Sequence, residues 1–463
     1  MTTVRLLVFS LLFTGSISAA DDTHLATEIL REIVGQNTAP SGGTDLAPTV
    51  ASLVARLRAA GFSDDDIAIV HSGEKLPNLV VRYRSVDAER RPILMMAHLD
   101  VVEALPADWT IAPFTLTEAD GYYYGRGTMD NKAGAAILVA NLIRLKRENY
   151  RPDRDLIVML TADEESTGAG AIKLANEHRE LIDAEFALNT DGGSVLERDG
   201  KARAFMVQTS EKVYVTYHLE ATDPGGHSSV PRADSAISRI ARTLVALQEF
   251  RFPIDLNDTT QVFFERVSTS LSDAEAEIVD AILAGAPDAE VSAALDAFPY
   301  INSMLRTTCI ATMIAGGHAE NAIPQTATAN VNCRVLPQFE EADVRDALTA
   351  LAAPNDVSVT ETWPFIHSPP SPLHTDIIAP VTDVAEEVWP GIIVVPQMST
   401  GATDGLFLRN VGIPVYAVSA IASDPNDIRS HGQDERIRID AFETATEYWY
   451  RLVKNLSRGV ATN

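Results

Sequence analysis

The chain has 463 residues, 46% of them hydrophobic, and is long enough to bury a large core and to form two domains. It carries 37 basic and 64 acidic residues, a formal charge of −27, which argues against nucleic acid and anionic membranes as partners. An anionic substrate would therefore need a local positive site, such as metal ions or selected arginines.

The N-terminal segment MTTVRLLVFSLLFTGSISAA predicts export. Arg5 precedes a short apolar stretch, and small residues follow before Asp21 and Asp22. The apolar stretch is too short for a comfortable membrane span, and no other segment reaches that length. We expect a signal peptide at 1–20, no stable membrane anchor, and a mature protein in the periplasm or outside the cell.

Strand-like and helical segments then alternate up to residue 209, which is typical of an open α/β sheet. In order they are helices at 25–35 and 46–60, strands at 77–84 and 91–100, an amphipathic helix at 131–149, the strand DLIVMLTA, a helix near 168–180, and the strand AEFALNTDGG.

Near residue 210 the pattern changes to alternating strands, typical of an antiparallel sheet. The segments are the strand EKVYVTYHLEATD, a helix at 234–250, an acidic helical stretch at 272–296, the strands TTCIATMIAG and TATANVNCRVLP, the helix EADVRDALTALAA, and the strand VSVTETW. From about 366 the α/β pattern resumes, with the strands GIIVVPQ and GIPVYAVSA and a helix at 440–457. We predict a mostly parallel α/β catalytic domain at 21–209 and 366–463. An α+β lid domain at 210–365 interrupts it, with a helical insertion at about 253–304.

Cys309 and Cys333 are the two cysteines of the chain. Two cysteines form no metal-binding array, so any metal here must use histidines and carboxylates. They could pair in an oxidising compartment, but disulfide geometry is restrictive, and two buried free thiols are the preferred interpretation.

Potential metal ligands follow the strands of the α/β part. His98 and Asp100 lie two residues apart and so face the same side of a strand. The others are Asp130 at a helix start, Glu164 and Glu165 after DLIVMLTA, Asp191 after a strand, and His431 downstream. In open α/β sheets such strand ends meet in one crevice.

Each of these residues also has an ordinary structural explanation. The histidines fit a core and a surface position, and the acids fit helix caps, turns or solvated first turns. Their recurrence at strand ends favours a metal site. Asp163, which precedes Glu164, is expected to be a solvated turn residue.

The ordered set H-x-D, G-R-G-x-x-D, D-E-E, a strand-end Asp, G-G-H-S-S, N-x-I-P and a late His resembles the di-zinc aminoacylase, glutamate carboxypeptidase and succinyl-diaminopimelate desuccinylase family of clan MH. The longer insertion is similar to the vacuolar-carboxypeptidase-like branch. The resemblance covers essentially all of the mature chain.

The resemblance implies two zinc ions, for which cobalt or manganese could substitute. Asp130 would bridge them, His98 and Asp191 would complete one site, and Glu165 and His431 the other. Glu164 would be the general base, and Asp100 would orient His98.

In the lid, the resemblance implies that His227 stabilises the oxyanion and that Asn321 and Arg334 hold a substrate carboxylate. Gly401 and Thr403 lie in a glycine-rich loop, STGATDGLF, that would line the substrate pocket. A homodimer through the lid and a monomer both remain open, because the insertion is longer than in compact members.

The predicted activity is that of an exported di-zinc amidohydrolase acting next to an amino acid with a free α-carboxylate, as a carboxypeptidase or dipeptidase does. One alternative is an N-acyl-amino-acid hydrolase with a lipid-like acyl group. Another is a non-catalytic protein that binds peptides or metal, although such a protein would be expected to have lost Glu164 or a ligand.

Overall fold

The computed structural model describes residues 19–39, 43–267 and 271–458. Most of the predicted signal peptide, residues 1–18, lies outside this part of the chain. Within these ranges, no helix combines the length and apolar character needed to cross a bilayer.

The described chain up to residue 211 alternates helices and strands, as predicted. Its elements are α1 (Ala19–Val34), α2 (Ala47–Ala59), β1 (Ile67–Gly73), β2 (Leu76–Tyr83), β3 (Ile93–His98), β4 (Thr117–Ala119), β5 (Tyr122–Tyr124), α3 (Lys132–Arg147), β6 (Leu156–Thr161), α4 (Ala169–Glu177), α5 (Arg179–Ile182), β7 (Phe186–Asn189), β8 (Val195–Arg198) and β9 (Lys201–Glu211).

The middle of the chain contains long antiparallel strands and a run of short helices. Its elements are β10 (Val213–Thr222), β11 (Gly226–His227), α6 (Ala236–Glu249), α7 (Asp258–Val267), α8 (Asp273–Leu283), α9 (Asp288–Leu295), α10 (Pro299–Leu305), β12 (Thr308–Gly316), β13 (Ala322–Ile323), β14 (Thr326–Val335), α11 (Glu341–Ala352) and β15 (Ser358–Trp363). The last part contains α12 (Thr375–Val388), β16 (Ile393–Ser399), α13 (Gly405–Asn410), β17 (Val415–Ala417), β18 (Ala422–Ser423), β19 (Arg436–Arg438) and α14 (Ile439–Leu456).

A ten-stranded mixed sheet has the strand order β1-β2-β6-β3-β7-β17-β9-β8-β18, with β16 also paired to β9. Its centre, from β6 through β3 and β7 to β17, is parallel. The predicted fold class, an α/β protein with a mostly parallel central sheet, is confirmed.

Both faces of this central sheet are covered, so its strands are apolar on both sides. In β3, Ile93 and Met95 face a core shared with α1, α3 and α14, whereas Leu94 and Met96 face a core shared with α4 and α13. Helix α3 is buried along nearly its whole length because α1 and α14 pack against it. The amphipathic character predicted for this helix is therefore wrong.

The smaller sheet is antiparallel, in the order β12-β14-β10-β15. Helices α6 and α11 cover one face, on which Val215, Tyr217 and Leu219 of β10 are buried. The chain enters this sheet at Lys212 and leaves it after β15. The domain boundaries at 209/210 and 365/366 stay a prediction.

The helices α7 to α10 form a core of their own around Phe264, Leu295 and Met304. This core includes Val395 and Met398 of β16, so the helical insertion packs against the large sheet.

Cys309 and Cys333 form a disulfide, which corrects the preferred interpretation as free thiols. The register of β12 and β14 places the two residues directly opposite each other, with their Cα atoms 4.0 Å apart. Strand pairing decides this proximity, and the local sequence does not show it.

Candidate metal centre

Two neighbouring parallel strands place the first potential ligands at one edge of the large sheet. His98 is the last residue of β3, and Asp191 follows β7, its parallel neighbour. The loop that carries Glu164 and Glu165 follows β6, on the other side of β3. Because the strands run the same way, their carboxyl ends meet here, as expected for this class of sheet.

Asp130 lies between the two histidines, at the start of α3. Its Oδ1 is 3.0 Å from His98 Nε2, and its Oδ2 is 3.2 Å from His431 Nε2. Two groups have ligand atoms within 4.8 Å of one another, and they share this aspartate: His98, Asp130 and Asp191; and Asp130, Glu165 and His431. These are the two predicted ligand sets, and their role in metal binding stays a prediction.

The loop after β6 is held by Asp100, which is fully buried. Its carboxylate oxygens accept hydrogen bonds from the backbone N–H groups of Glu164 and Glu165, at 3.1 and 2.9 Å. His98 Nδ1 lies 3.0 Å from the Asp100 carbonyl oxygen and 3.5 Å from its carboxylate. Asp100 therefore fixes the two glutamates directly, and it faces His98 mainly through its backbone.

The acids of this cluster strongly perturb one another. Burial, together with the charge of Asp191, raises the pKa of Glu164 well above its ordinary value. Burial and the nearby Asp130 raise the pKa of Asp191 to about 7. Hydrogen bonds with Asp130 and Glu165 raise the pKa of His431 to about 10. Such a cluster is stabilised by added positive charge, which divalent cations can supply.

Asp163 is fully buried, which corrects its interpretation as a solvated turn residue. Its Oδ1 accepts a hydrogen bond from Gly170 N at 2.8 Å, and its Oδ2 accepts one from Thr167 Oγ1 at 3.0 Å. It therefore anchors the loop that follows Glu165 to the first turn of α4. The run of three acids contains one structural residue, Asp163, and two residues, Glu164 and Glu165, that line the neighbouring cavity.

Glu435 supports Asp130 from behind and was not singled out from the sequence. This buried carboxylate accepts hydrogen bonds from Arg126 Nη1 at 2.6 Å and from Gly127 N at 3.1 Å. It also accepts them from Met129 N at 2.7 Å and from Asp130 N at 3.1 Å. The Asp-Glu pair in SHGQDER, shortly after His431, was the available signal for this role.

A cavity of about 380 Å³ opens beside this centre. It is lined by Glu164, Glu165 and His431, by Arg334, and by Gly401 and Thr403 of the loop after β16. Its apolar wall consists of Tyr214, Trp363, Ile366, Leu406 and Phe407. The structure thus brings Arg334, Gly401 and Thr403 to the same cavity as the metal centre.

His227 and Asn321 are placed elsewhere, on an exposed pairing of β11 with β13. His227 Nδ1 accepts a hydrogen bond from Ser229 N at 3.1 Å, and the Asn321 carbonyl oxygen accepts one from Ser228 N at 3.0 Å. Neither residue lines the cavity in this conformation. Their predicted roles require movement of this strand pair or a second subunit, and they stay predictions.

The glycine-rich loop is tied to a buried carboxylate at the end of β9, which the sequence did not reveal. Thr403 Oγ1 donates to Glu211 Oε2 at 3.0 Å, and Arg409 forms a short ion pair with Glu211 Oε1. Ser368, in the segment that returns from the small sheet, donates to Glu211 Oε1 at 3.1 Å. Glu211 therefore joins three segments through hydrogen bonds: the junction of β9 with β10, the segment that follows β15, and the loop that carries Thr403.

The model of peptidase family M20/M25/M40 matches residues 94–455. The chain is 30% identical over 379 residues to the N-fatty-acyl-amino acid synthase/hydrolase of Homo sapiens, covering 80% of this chain and 75% of the relative. It is 27% identical over 391 residues to a probable carboxypeptidase S-like protein of Dictyostelium discoideum, covering 82% and 75%. The fold is similar to that of an M20 family metallo-carboxypeptidase from Sulfolobus solfataricus, with a TM-score of 0.72, 17% identity, and coverage of 93% and 99%.

Proposed function

Because the chain belongs to peptidase family M20/M25/M40, as its ordered motifs predicted, we propose that it is an exported di-zinc hydrolase. It cleaves a peptide or N-acyl amide bond next to an amino acid with a free α-carboxylate. One observation carries the proposal: two potential ligand sets share Asp130, and the Glu164 carboxyl group lies beside them.

The donor set fits two zinc ions. Imidazole nitrogens from His98 and His431 combine with carboxylates, a ligand mixture that zinc accepts in hydrolytic sites. Burial and repulsion from Asp130 raise the pKa of Asp191, and two divalent cations would offset both effects, which supports the fit. Cobalt and manganese accept the same ligands.

When bound, the two zinc ions would polarise the scissile carbonyl and make water acidic enough to act near neutral pH. Glu164 then serves as the proton carrier at its carboxylate oxygens, taking a proton from water and giving it to the leaving amine nitrogen. The backbone bond from Glu164 N to Asp100 orients the start of its side chain. Asp163 and Asp100 together hold the loop still during the transfer.

Arg334 is proposed to bind the substrate carboxylate. Its guanidinium group lies 4.7 Å from the centre of the Tyr214 ring and lines the cavity that also contains Glu164. A planar guanidinium can hold a carboxylate by two parallel hydrogen bonds. Asn321 and His227 would join it when the lid closes, which would exclude water from the site.

A specific observation favours N-acyl-amino acids as the second candidate substrate class. Trp363, Ile366, Leu406 and Phe407 give the cavity an apolar wall that would accept an acyl chain as well as an apolar side chain. The human relative is named as acting on N-fatty-acyl-amino acids. Both candidates share the free α-carboxylate and differ in the group on the other side of the amide.

Purified, zinc-loaded protein tested on a dipeptide panel and on an N-acyl-amino-acid panel separates the candidates. We expect about two zinc ions per chain and hydrolysis on at least one panel. Two bound ions without hydrolysis on either panel would instead favour a non-catalytic binding protein.

A homodimer through the lid is part of the proposal. Strand β12 is an edge strand of the small sheet, and Ile310, Met313 and Ile314 on it are 64–70% exposed. An exposed apolar edge strand commonly pairs with another chain. Light scattering on the purified protein, compared with an Ile310→Lys/Ile314→Lys variant, tests this: a wild-type mass of one chain would contradict it.

Export is also proposed, on the basis of the segment at 1–20. Expression of the full chain in a bacterial host should yield a periplasmic protein that begins near residue 20 or 21. N-terminal sequencing of the periplasmic and cytoplasmic fractions checks this, and an uncleaved cytoplasmic chain would contradict it.

A further inference from the structure

The fully buried cations of this chain are almost all balanced by carboxylates. Within the described ranges, each buried arginine contacts one: Arg126 with Glu435, Arg154 with Glu185, Arg306 with Asp288, and Arg409 with Glu211. The buried Lys132 lies in the field of Glu435 and Asp100. Unpaired buried charges are costly, which explains this pattern.

Lys212 departs from this pattern, and so does the half-buried Arg334 beside it. Lys212 is fully buried, and in the described part of the chain no carboxylate lies within ion-pair distance of either residue. Burial, together with the charge of Arg334, lowers the pKa of Lys212 to about 7. A protein with 64 acidic and 37 basic residues thus leaves two neighbouring cations without an anion beside its cavity.

Three strands bring these cations together. Lys212 connects β9 to β10, and its Nζ donates to Thr308 Oγ1 at 3.3 Å. Thr308 is directly opposite Arg334 in the pairing of β12 with β14, and Tyr214 is opposite Arg334 in the pairing of β10 with β14. Lys212 therefore stands behind Arg334 and holds one of the two residues that flank it across the sheet.

The neighbouring titratable groups do not neutralise Lys212. They are Glu211, which is adjacent in the chain, Tyr214, two residues further along, and Arg334, on the neighbouring strand β14. The Glu211 carboxylate accepts hydrogen bonds from Arg409 and Ser368, and also from Gln208 and Thr403. The negative charge of Glu211 is thus already balanced by Arg409, which belongs to the large-sheet part of the structure.

We propose that Lys212 is a positioning residue for carboxylate recognition, holding Thr308 and supplying a second positive charge behind Arg334 for an anion bound in front of it. This inference rests on the proposed function, since it concerns the same substrate carboxylate. Lys212 itself is fully buried and acts through Arg334 and Thr308.

The arrangement links carboxylate binding to protonation. A bound carboxylate favours the charged form of Lys212, so the pKa of Lys212 rises above 7 in the complex. Affinity for the carboxylate is then fully present below pH 7 and declines as pH rises from the free to the bound pKa. A rise of about one unit corresponds to about 10-fold in affinity.

Isothermal titration of the zinc-loaded protein with 3-phenylpropanoate and with 3-phenylpropanamide, between pH 6 and pH 9, isolates this effect, because neither ligand carries a group that titrates in this range. The ratio of the two affinities measures preference for the carboxylate and does not depend on hydrolysis. In the wild type we expect the preference to fall on the order of 10-fold across this range.

Lys212→Met should show a low, pH-independent preference, about 10-fold below the wild-type value at pH 6. Lys212→Arg should keep a high preference at every pH, because arginine stays charged. Lys173→Met, on helix α4, is the control for net charge, since Lys173 donates to the His71 carbonyl oxygen, far along the chain from this site.

A preference that does not change with pH in the wild type, or an Lys212→Met preference equal to that of the wild type, would overturn the proposal. If Lys212→Met fails to fold, the pH profile of Lys212→Arg decides. Absence of hydrolysis on all panels with an intact pH-dependent preference would refute the proposed enzyme and leave this inference standing.

Discussion

Replacing Glu435 by glutamine should loosen the metal centre without touching a proposed ligand. In the wild type, each carboxylate oxygen of Glu435 accepts two hydrogen bonds: Oε1 from Met129 N and Asp130 N, and Oε2 from Gly127 N and Arg126 Nη1. A glutamine keeps one carbonyl oxygen and presents an N–H₂ group to the other two donors. Two of these bonds are therefore lost, whichever way the amide turns.

The size of the effect follows from burial. Arg126 is 2% exposed, and removing the anion from a buried ion pair costs about 3 to 5 kcal/mol. Arg126 Nη2 still donates to the Gly432 carbonyl oxygen at 3.0 Å, so we expect the lower end, about 3 kcal/mol. The substitution also removes a hydrogen bond to the backbone of Asp130. Loss of an outer partner of this kind lowers metal affinity by about 10- to 100-fold.

Urea unfolding of the metal-free protein and zinc titration against a chelator measure the two effects. Asp288→Asn is the matched control, since it removes the carboxylate partner of the buried Arg306 in the helical insertion. It should lower the free energy of unfolding and leave zinc affinity unchanged. A Glu435→Gln protein that binds zinc within twofold of the wild type would refute the positioning role of Glu435.

Three further substitutions test the proposed site. Glu164→Gln should keep both metals and lose about 10²-fold or more in kcat, and metal loss measured by atomic absorption would instead identify Glu164 as a ligand. Asp130→Ala should empty both sites, so one ion retained at full affinity would contradict its bridging role. Arg334→Ala should lower kcat/KM about 10- to 100-fold for a free-acid substrate and hardly change the rate on its amide. Equal losses on both forms would mean that Arg334 supports the lid structure and does not bind the carboxylate.

The residues predicted as ligands, apart from His431, were accessible from the sequence because each follows a strand or begins a helix. His98 and Asp100 end a strongly apolar run, and Glu164 and Glu165 end another. Parallel strands end at the same edge, so recurrence along the chain implies proximity in space. Asp163 shows the limit of this reasoning. Whether an acid in such a run faces the cavity or caps a helix depends on the direction of its side chain.

The residues that support the site, Glu435 and Glu211, could not be predicted from the sequence. Glu435 stabilises Asp130 from more than 300 positions away, and Glu211 contacts Arg409 across 198 positions. An acid that is buried and paired looks the same in a sequence as an acid on the surface. Only the packing of distant segments removes water from it and supplies its partners.

The sequence by itself determined the alternation of elements, the family, and the set of residues that could bind metal, because these depend on local periodicity and on the order of short motifs. The tertiary structure decided strand order and register. Register brought Cys309 opposite Cys333 and Thr308 opposite Arg334. A shift of one residue would turn every side chain of a strand to the other face, so only long-range pairing specifies these contacts.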